Sequence, residues 1–157
     1  SLEPLEHDLA TLLATLRTRV GHRLHSAGLN LEWAMADMPP LPWLEPAQAL
    51  QVLRLIQEAM TNVIKHARAR NIAVTIETRD DGQGPYGVIS VADDGQGFEL
   101  TIDGQPAGGR QSARGLRNMR SRALRCGAVI TLNSGAAGTR VRLQLPQRFP
   151  DSDAAAG

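Results

Sequence analysis

The stretch LQVLRLIQEAMTNVIKHA, residues 50–67, constrains the fold more than any other part of the chain. At about 100° per residue, Leu53, Ile56, Met60, Val63 and Ala67 fall on one helical stripe, with Glu58, Asn62, Lys65 and His66 opposite. An apolar stripe this long must cover a second layer. The other face carries chemistry: Glu58 and Asn62 stand one turn apart, with an ammonium and an imidazole a turn further on. Hard oxygen ligands beside a cation suit a magnesium-bound phosphate chain. The outer face of an amphipathic helix is in most proteins simply solvated, so this face assigns nothing by itself. Lys65 is the only lysine in a chain that otherwise uses arginine.

The flanks say what this helix covers. Leu5, Leu9, Leu12, Leu13, Leu16, Val20 and Leu24 recur at helical spacing, predicting a first amphipathic helix over 5–27 that ends near Gly28. Leu29, Leu31, Trp33 and Met35 alternate like a half-buried strand. MPPLPWLEP, with four prolines, is a connector that puts Pro46 near the first turn of the central helix. Residues 73–78 and 86–92 read as two β-rich strands joined by the turn Asp80-Asp81-Gly82-Gln83-Gly84, a hairpin. Residues 99–114 lack periodicity and read as a long mobile loop, which inside a compact domain points to function. A short helix follows over 115–125 with Leu116, Met119 and Ala123 on its core face. Strands over 129–133 and 139–145 flank a turn at 134–138.

Composition closes off several classes. A chain of 157 residues, 42% hydrophobic and 21% charged, has the make-up of one globular domain with a two-layer core. Net charge of +1 gives no global drive toward nucleic acid or acidic membranes, and 3% aromatics is too few for a base-stacking single-strand binder. Cys126 is alone, so no internal disulfide forms and a reducing, cytosolic setting is expected. No apolar run approaches a membrane span, and no signal segment opens the sequence. His22 and His25 share a helix face but find no third zinc ligand.

Two further stretches carry chemistry. Asp93-x-Gly95-x-Gly97 follows a strand: the carboxylate can accept a hydrogen bond from an exocyclic amine such as that of adenine, and the glycines let the backbone approach a flat ring. The pattern is weak alone, because Asp-Gly is also a common turn. A dinucleotide fingerprint is excluded, since Leu100 stands where its third glycine belongs, and a P-loop is excluded because the sole lysine is mid-helix. Residues 110–125 hold six arginines and no acid beside glycines that open a helix. That suits a phosphate, or equally a solvated basic face or an acidic partner.

Taken in order, Glu58-x3-Asn62-x2-Lys65-His66, Asp93-x-Gly95-x-Gly97, a Gly-rich loop, Gly115-Leu116-x2-Met119 and Gly138-Thr139 resemble the N, G1, G2 and terminal Gly-Thr motifs of the GHKL ATPase superfamily. QEAMTNVIKHARA and ARGLRNMRSRA look like the catalytic, ATP-binding domain of bacterial sensor histidine kinases of the nitrate-sensor and DesK-like type. The resemblance covers about residues 29–146.

It implies a Bergerat fold: an α/β two-layer sandwich with a mixed, mostly antiparallel sheet of about five strands and three helices on one face. With the helix read from periodicity packing on the domain (1–28) and a polar, small-residue tail expected to be disordered (148–157), it makes 29–147 an ATP-binding domain with an ATP lid at 98–114. Asn62 would ligate Mg²⁺. Glu58 would assist transfer, as a base or as a second-shell metal contact. Lys65 would touch phosphate oxygens, with His66 beside the nucleotide. Asp93 would read the adenine amino group, assisted by Thr139, with Gly95 and Gly97 making room for the base and the backbone at Gly115 and Leu116 meeting the phosphates. The Gly-x-Gly usual at the lid's end is Ala113-Arg114-Gly115 here. The expected function is ATP binding and γ-phosphoryl donation to a histidine on a dimerisation domain absent from this chain, feeding a response regulator, with no nucleic acid and no membrane contact. His7 reads as an ordinary helix residue rather than the phosphoacceptor. The rival expectations are a serine kinase of the anti-sigma-factor type and a nucleotide-sensing module without transfer activity.

Overall fold

The computed structural model describes residues 9–36, 41, 44–82, 84–96 and 110–146; the side chains of 66–67 and 110–116 stand outside that description. Within these residues the order is α1 (Leu9–Ser26), β1 (Asn30–Met35), α2 (Pro46–Asn62) running into a π-helical turn (Val63–Ala67), β2 (Asn71–Asp80), β3 (Pro85–Asp93), α3 (Arg110–Arg125), β4 (Val129–Gly135) and β5 (Gly138–Leu145). The strands form one sheet in the order β1-β2-β3-β5-β4. β1 and β2 are parallel, and the other three pairings are antiparallel. The parallel pair follows from what joins it: a crossover through α2, where a tight hairpin would have forced antiparallel pairing.

Strand periodicity of two sorts the sheet into faces. Trp33, Val74, Val91, Val141 and Leu132 form one row across the five strands, and Met35, Ile76, Ile89, Leu143 and Ile130 form the next. Against these rows lie Leu9, Leu13, Leu16, Val20 and Leu24 of α1, Ala49, Val52, Leu55, Ile56, Ala59 and Met60 of α2, and Met119 and Ala123 of α3. All three helices therefore share one face of the sheet. Each fully buried side chain of Leu or Ile size stabilises by roughly 1.5–3 kcal/mol relative to exposure, which makes this layer the main source of stability.

The helix ends have local causes. α1 stops at Gly28, whose φ of 77° closes the helix. There Leu29 N–H donates to Leu24 O at 2.9 Å and Gly28 N–H to His25 O at 3.0 Å, satisfying two terminal carbonyls. α2 starts with Pro46 at its first position, where a missing N–H costs nothing. Cys126 is buried just after α3; burial pushes its thiol up from the usual value, and Sγ lies 3.4 Å from Ala123 O.

Several expectations shift. The buried arc of α2 takes Ala49, Val52, Leu55 and Ala59, while Leu53 is only partly buried. α2 lies between α1, α3 and the sheet, so two adjacent positions per turn find cover. α3 begins at Arg110, so residues 110–114, expected in the loop and lid, are helical and Gly115 and Leu116 lie inside the helix rather than opening it. Arg110-Gln111-Ser112-Ala113-Arg114 contains no glycine or proline, and a helix tolerates the following Gly115 at a cost of about 1 kcal/mol. The turn expected at 134–138 shrinks to Ala136-Ala137, because β4 and β5 pair through Gly135 and Gly138. Residues 1–8 (with Leu5 and His7), 97–109 (with Gly97 and most of the expected lid) and the tail expected at 148–157 lie outside the described residues.

Candidate functional site

One end of the sheet is not apolar. The row beyond Trp33 and Val74 begins with Leu31 and Ile72, and Ile72 pairs with Asp93. Continuing the β3–β5 register by one residue sets Thr139 opposite Asp93, and Thr139 pairs with Ser134. Asp93, Thr139 and Ser134 thus stand side by side on three neighbouring strands, on the helix-covered face. Each is half-buried. Ser134 Oγ and Thr139 Oγ1 share a hydrogen bond of 2.8 Å. Asp93 Oδ1 accepts from the buried Gly95 N–H at 2.8 Å, which turns the chain away from the strand.

Asp94 explains how this end is held. Its Oδ1 accepts from the N–H groups of Arg70 and Asn71, both at 2.9 Å, and its Oδ2 accepts from Asn71 Nδ2 at 2.7 Å. Asn71 Oδ1 accepts in turn from Asn30 Nδ2 at 3.2 Å, which carries the network to β1. Three donors on one carboxylate favour its charged form. The Asn71 backbone and side-chain donors and the Arg70 backbone hold the Asp94 carboxyl down at about 2, against an ordinary 3.8. Nothing in the local sequence marks this role: Asp93 and Asp94 look alike, and only the pleat separates the one on the site's face from the one that ties strands together.

Gly138 presses on the same spot from β5. With φ at 123°, it sits so close to β3 that a Cβ there would overlap the Asp93 carbonyl, with Asp93 C at 2.8 Å and Asp94 Cα at 3.1 Å. Gly138-Thr139 is therefore a packing requirement of Asp93 as well as a strand start.

The clamp also joins this end to the central helix. The π-helical turn ends at Ala67, Arg68 turns the chain in the left-handed region at φ 52°, and Arg70 already bonds Asp94. Asn62 is the last residue of α2, and Lys65 lies within the π turn; both are exposed. The wider turn, bonded five residues apart rather than four, rotates Lys65 off the α-helical stripe that Asn62 would otherwise share with it. The His66 side chain and the side chain of Leu116 lie outside the described residues. Glu58, one turn before Asn62, faces α3: its Oε2 accepts from Arg122 Nη1 at 3.1 Å. Sequence reasoning grouped Arg122 with a basic face; the Glu58 contact needed the α2–α3 packing to be seen.

The site so built is the Asp93 carboxylate with the Thr139 hydroxyl on the neighbouring strand, and the chain leaving the π-helical turn is tied to the same end through Arg70 and Asp94. Among the described residues no group of three or more His, Cys, Asp or Glu is placed to cage a metal.

A family model described as histidine kinase-, DNA gyrase B-, and HSP90-like ATPase matches residues 47–148. The chain is 30% identical over 151 residues to the signal transduction histidine-protein kinase/phosphatase UhpB of Salmonella typhimurium, covering 94% of this chain and 27% of that protein. It spans about a quarter of the length of the curated relatives it matches. Among solved structures, Acinetobacter baumannii histidine kinase AdeS aligns with a TM-score of 0.68 at 12% identity over 92% of this chain and 66% of that one. The catalytic domain of histidine kinase ThkA aligns with a TM-score of 0.64 at 13% identity over 90% and 95%. At such identities the structural likenesses speak for the fold.

Proposed function

This chain belongs to the histidine kinase-, DNA gyrase B-, and HSP90-like ATPase family, and from that premise we propose that it binds Mg²⁺·ATP as the catalytic domain of a two-component sensor kinase. The acceptor of the γ-phosphate in this reading is a histidine on a dimerisation helix pair, with a response regulator downstream and the domain working in the cytoplasm. No helix among the described residues is long and apolar enough to cross a membrane.

The observation that carries the reading is the end row of the sheet. Asp93 is fixed by Gly95, by Gly138 and, through Asp94, by the start of β2, and in this reading its carboxylate accepts from an exocyclic amine. Thr139, already engaged by Ser134, assists beside it. In this reading Asn62 is the protein oxygen for the metal, Lys65 meets phosphate oxygens, and His66 is assigned a role beside the nucleotide. Gly97 would make room for the base, and the phosphate contact expected of the backbone at Gly115 and Leu116 is not carried into this reading, because both lie inside α3. Glu58 assists the transfer from the α2 side. Bound Mg²⁺ supplies charge neutralisation on the phosphates. The protein's share is positioning and preorganised charge, the usual content of phosphoryl-transfer catalysis.

The test is a calorimetric titration of the chain with a non-hydrolysable ATP analogue, with and without Mg²⁺, beside Asp93→Asn and Asn62→Ala. Wild type is expected to bind, Asp93→Asn to lose binding because an amide offers a donor where an acceptor is needed, and Asn62→Ala to lose the Mg²⁺ dependence. A folded wild-type chain that binds no adenine nucleotide refutes the proposal.

A further inference from the structure

We propose that Arg122 is a positioning residue for Glu58, and that the pair ties α3 to the reacting end of the nucleotide; the inference rests on the role given to Glu58 above. The two residues are 64 positions apart in sequence, yet Arg122 Nη1 donates to Glu58 Oε2 at 3.1 Å. Both are anchored by their helices. Ile56, Ala59 and Met60 seat α2 in the core around Glu58, and Met119, Ala123 and Cys126 seat α3 around Arg122. The guanidinium thus hangs from one fixed post and the carboxylate from another. By contrast, the Arg79–Glu77 pair joins two residues of the same strand at the exposed end of β2.

Exposure says what the pair is for. Arg122 and Glu58 keep 32% and 26% of their side-chain surface in water, so the pair adds little to stability. What it adds is order. A glutamate on a helix surface moves through many rotamers, and catalysis is sensitive to displacements of about 1 Å. With Oε2 engaged, Oε1 is the oxygen left for the site. In the simplest turnover, the oxygen of a water bonds to the γ-phosphorus as that phosphorus separates from the bridging oxygen of ADP. ADP keeps the bonding pair, and the water's proton passes to Glu58 Oε1. Arg122 touches none of these atoms and acts only through Glu58.

Phosphate release from labelled ATP and calorimetric nucleotide affinity, both on the whole chain, test this in Arg122→Met, Arg122→Lys, Glu58→Gln and the Glu58→Gln/Arg122→Met double variant. Arg122→Met is expected to slow turnover about tenfold while the Kd for nucleotide stays within about twofold. Glu58→Gln should slow it at least as much, and the double variant no further, because Arg122 then has nothing to orient. Arg122→Lys keeps a cation beside Oε2 and should retain about a third or more of wild-type turnover. A parallel loss of affinity and turnover, an additive double variant, or an Arg122→Lys as slow as Arg122→Met overturns the inference. So does a wild-type chain that binds nucleotide but releases no phosphate. A wild type that binds no nucleotide instead refutes the reading of the site, and a Glu58→Gln variant with unchanged turnover refutes the role of Glu58.

Discussion

Replacing Gly138 with alanine should damage the site more than any substitution of comparable size, and Gly135 provides the control. The two residues pair with each other across the same two-residue turn. At Gly135 a Cβ meets nothing within 4 Å, and its φ is ordinary; at Gly138 φ is 123° and the new Cβ overlaps the Asp93 backbone. Strain of a side chain in that region costs about 1–3 kcal/mol. Displacing a neighbour that is backbone rather than a flexible side-chain tip adds about 1–3 kcal/mol of overpacking. Together they predict a loss of about 2–6 kcal/mol for Gly138→Ala, or roughly 4–24 °C in Tm for a domain of this size. Gly135→Ala should change stability by less than about 1 kcal/mol, in the favourable direction, by restricting the unfolded chain. Urea unfolding measures both. Nucleotide titration of Gly138→Ala should then show weakened binding at temperatures where it remains folded, because Asp93 is what the methyl group pushes. Equal midpoints and equal affinities for the two variants would show that β5 does not bear on Asp93, and the account of this end of the sheet would fall.

The acid limb of stability should carry the mark of Asp94. Its folded value of about 2 lies below the ordinary 3.8, so its contribution is fully present above 3.8 and drains away as pH falls toward about 2. Wild type should therefore exceed Asp94→Asn in urea midpoint at pH 6, with the gap closing between pH 4 and pH 2; a gap constant with pH would show that the carboxylate's charge is not what ties β2 to β3. In the core, Leu55→Ala removes a side chain only 2% exposed at the centre of α2, and a loss of about 2–5 kcal/mol in urea unfolding is expected. A loss under about 1 kcal/mol would mean that α2 is not seated as described.

The layers were legible because hydrophobic periodicity is a local signal: Leu13, Val20 and Leu24, or Val74 and Ile76, announce their face within a few residues. The hairpin of β2 and β3 was legible for the same reason, since Asp80-Asp81-Gly82 lies between two alternating runs. Asp93 stood out through its glycines and Thr139 through Gly138. What stayed hidden depends on residues distant in sequence or on backbone detail. VIKHA has no feature that distinguishes a π-helical turn from an α-helical one. Ser134 reads as a turn residue until register sets it against Thr139. Asp94 and Arg122 are ordinary charges until the strand ends and the two helices are assembled, and the start of α3 at Arg110 is set by propensity against which a glycine-rich neighbourhood argued.

The match to the ATPase family begins at residue 47, downstream of α1 and β1, yet the core does not respect that line. Leu13 and Leu24 are fully buried, and β1 covers β2 from Asn30 to Met35, pairing along Asn71 to Ile76. A chain cut at the matched boundary would bare the hydrogen-bonding edge of β2 and the apolar seat of α1 together, the combination that invites strands of other molecules to add on. For this protein the unit that can be handled as a domain is thus set by what closes the sheet, and it starts a helix and a strand earlier than the segment that defines the family.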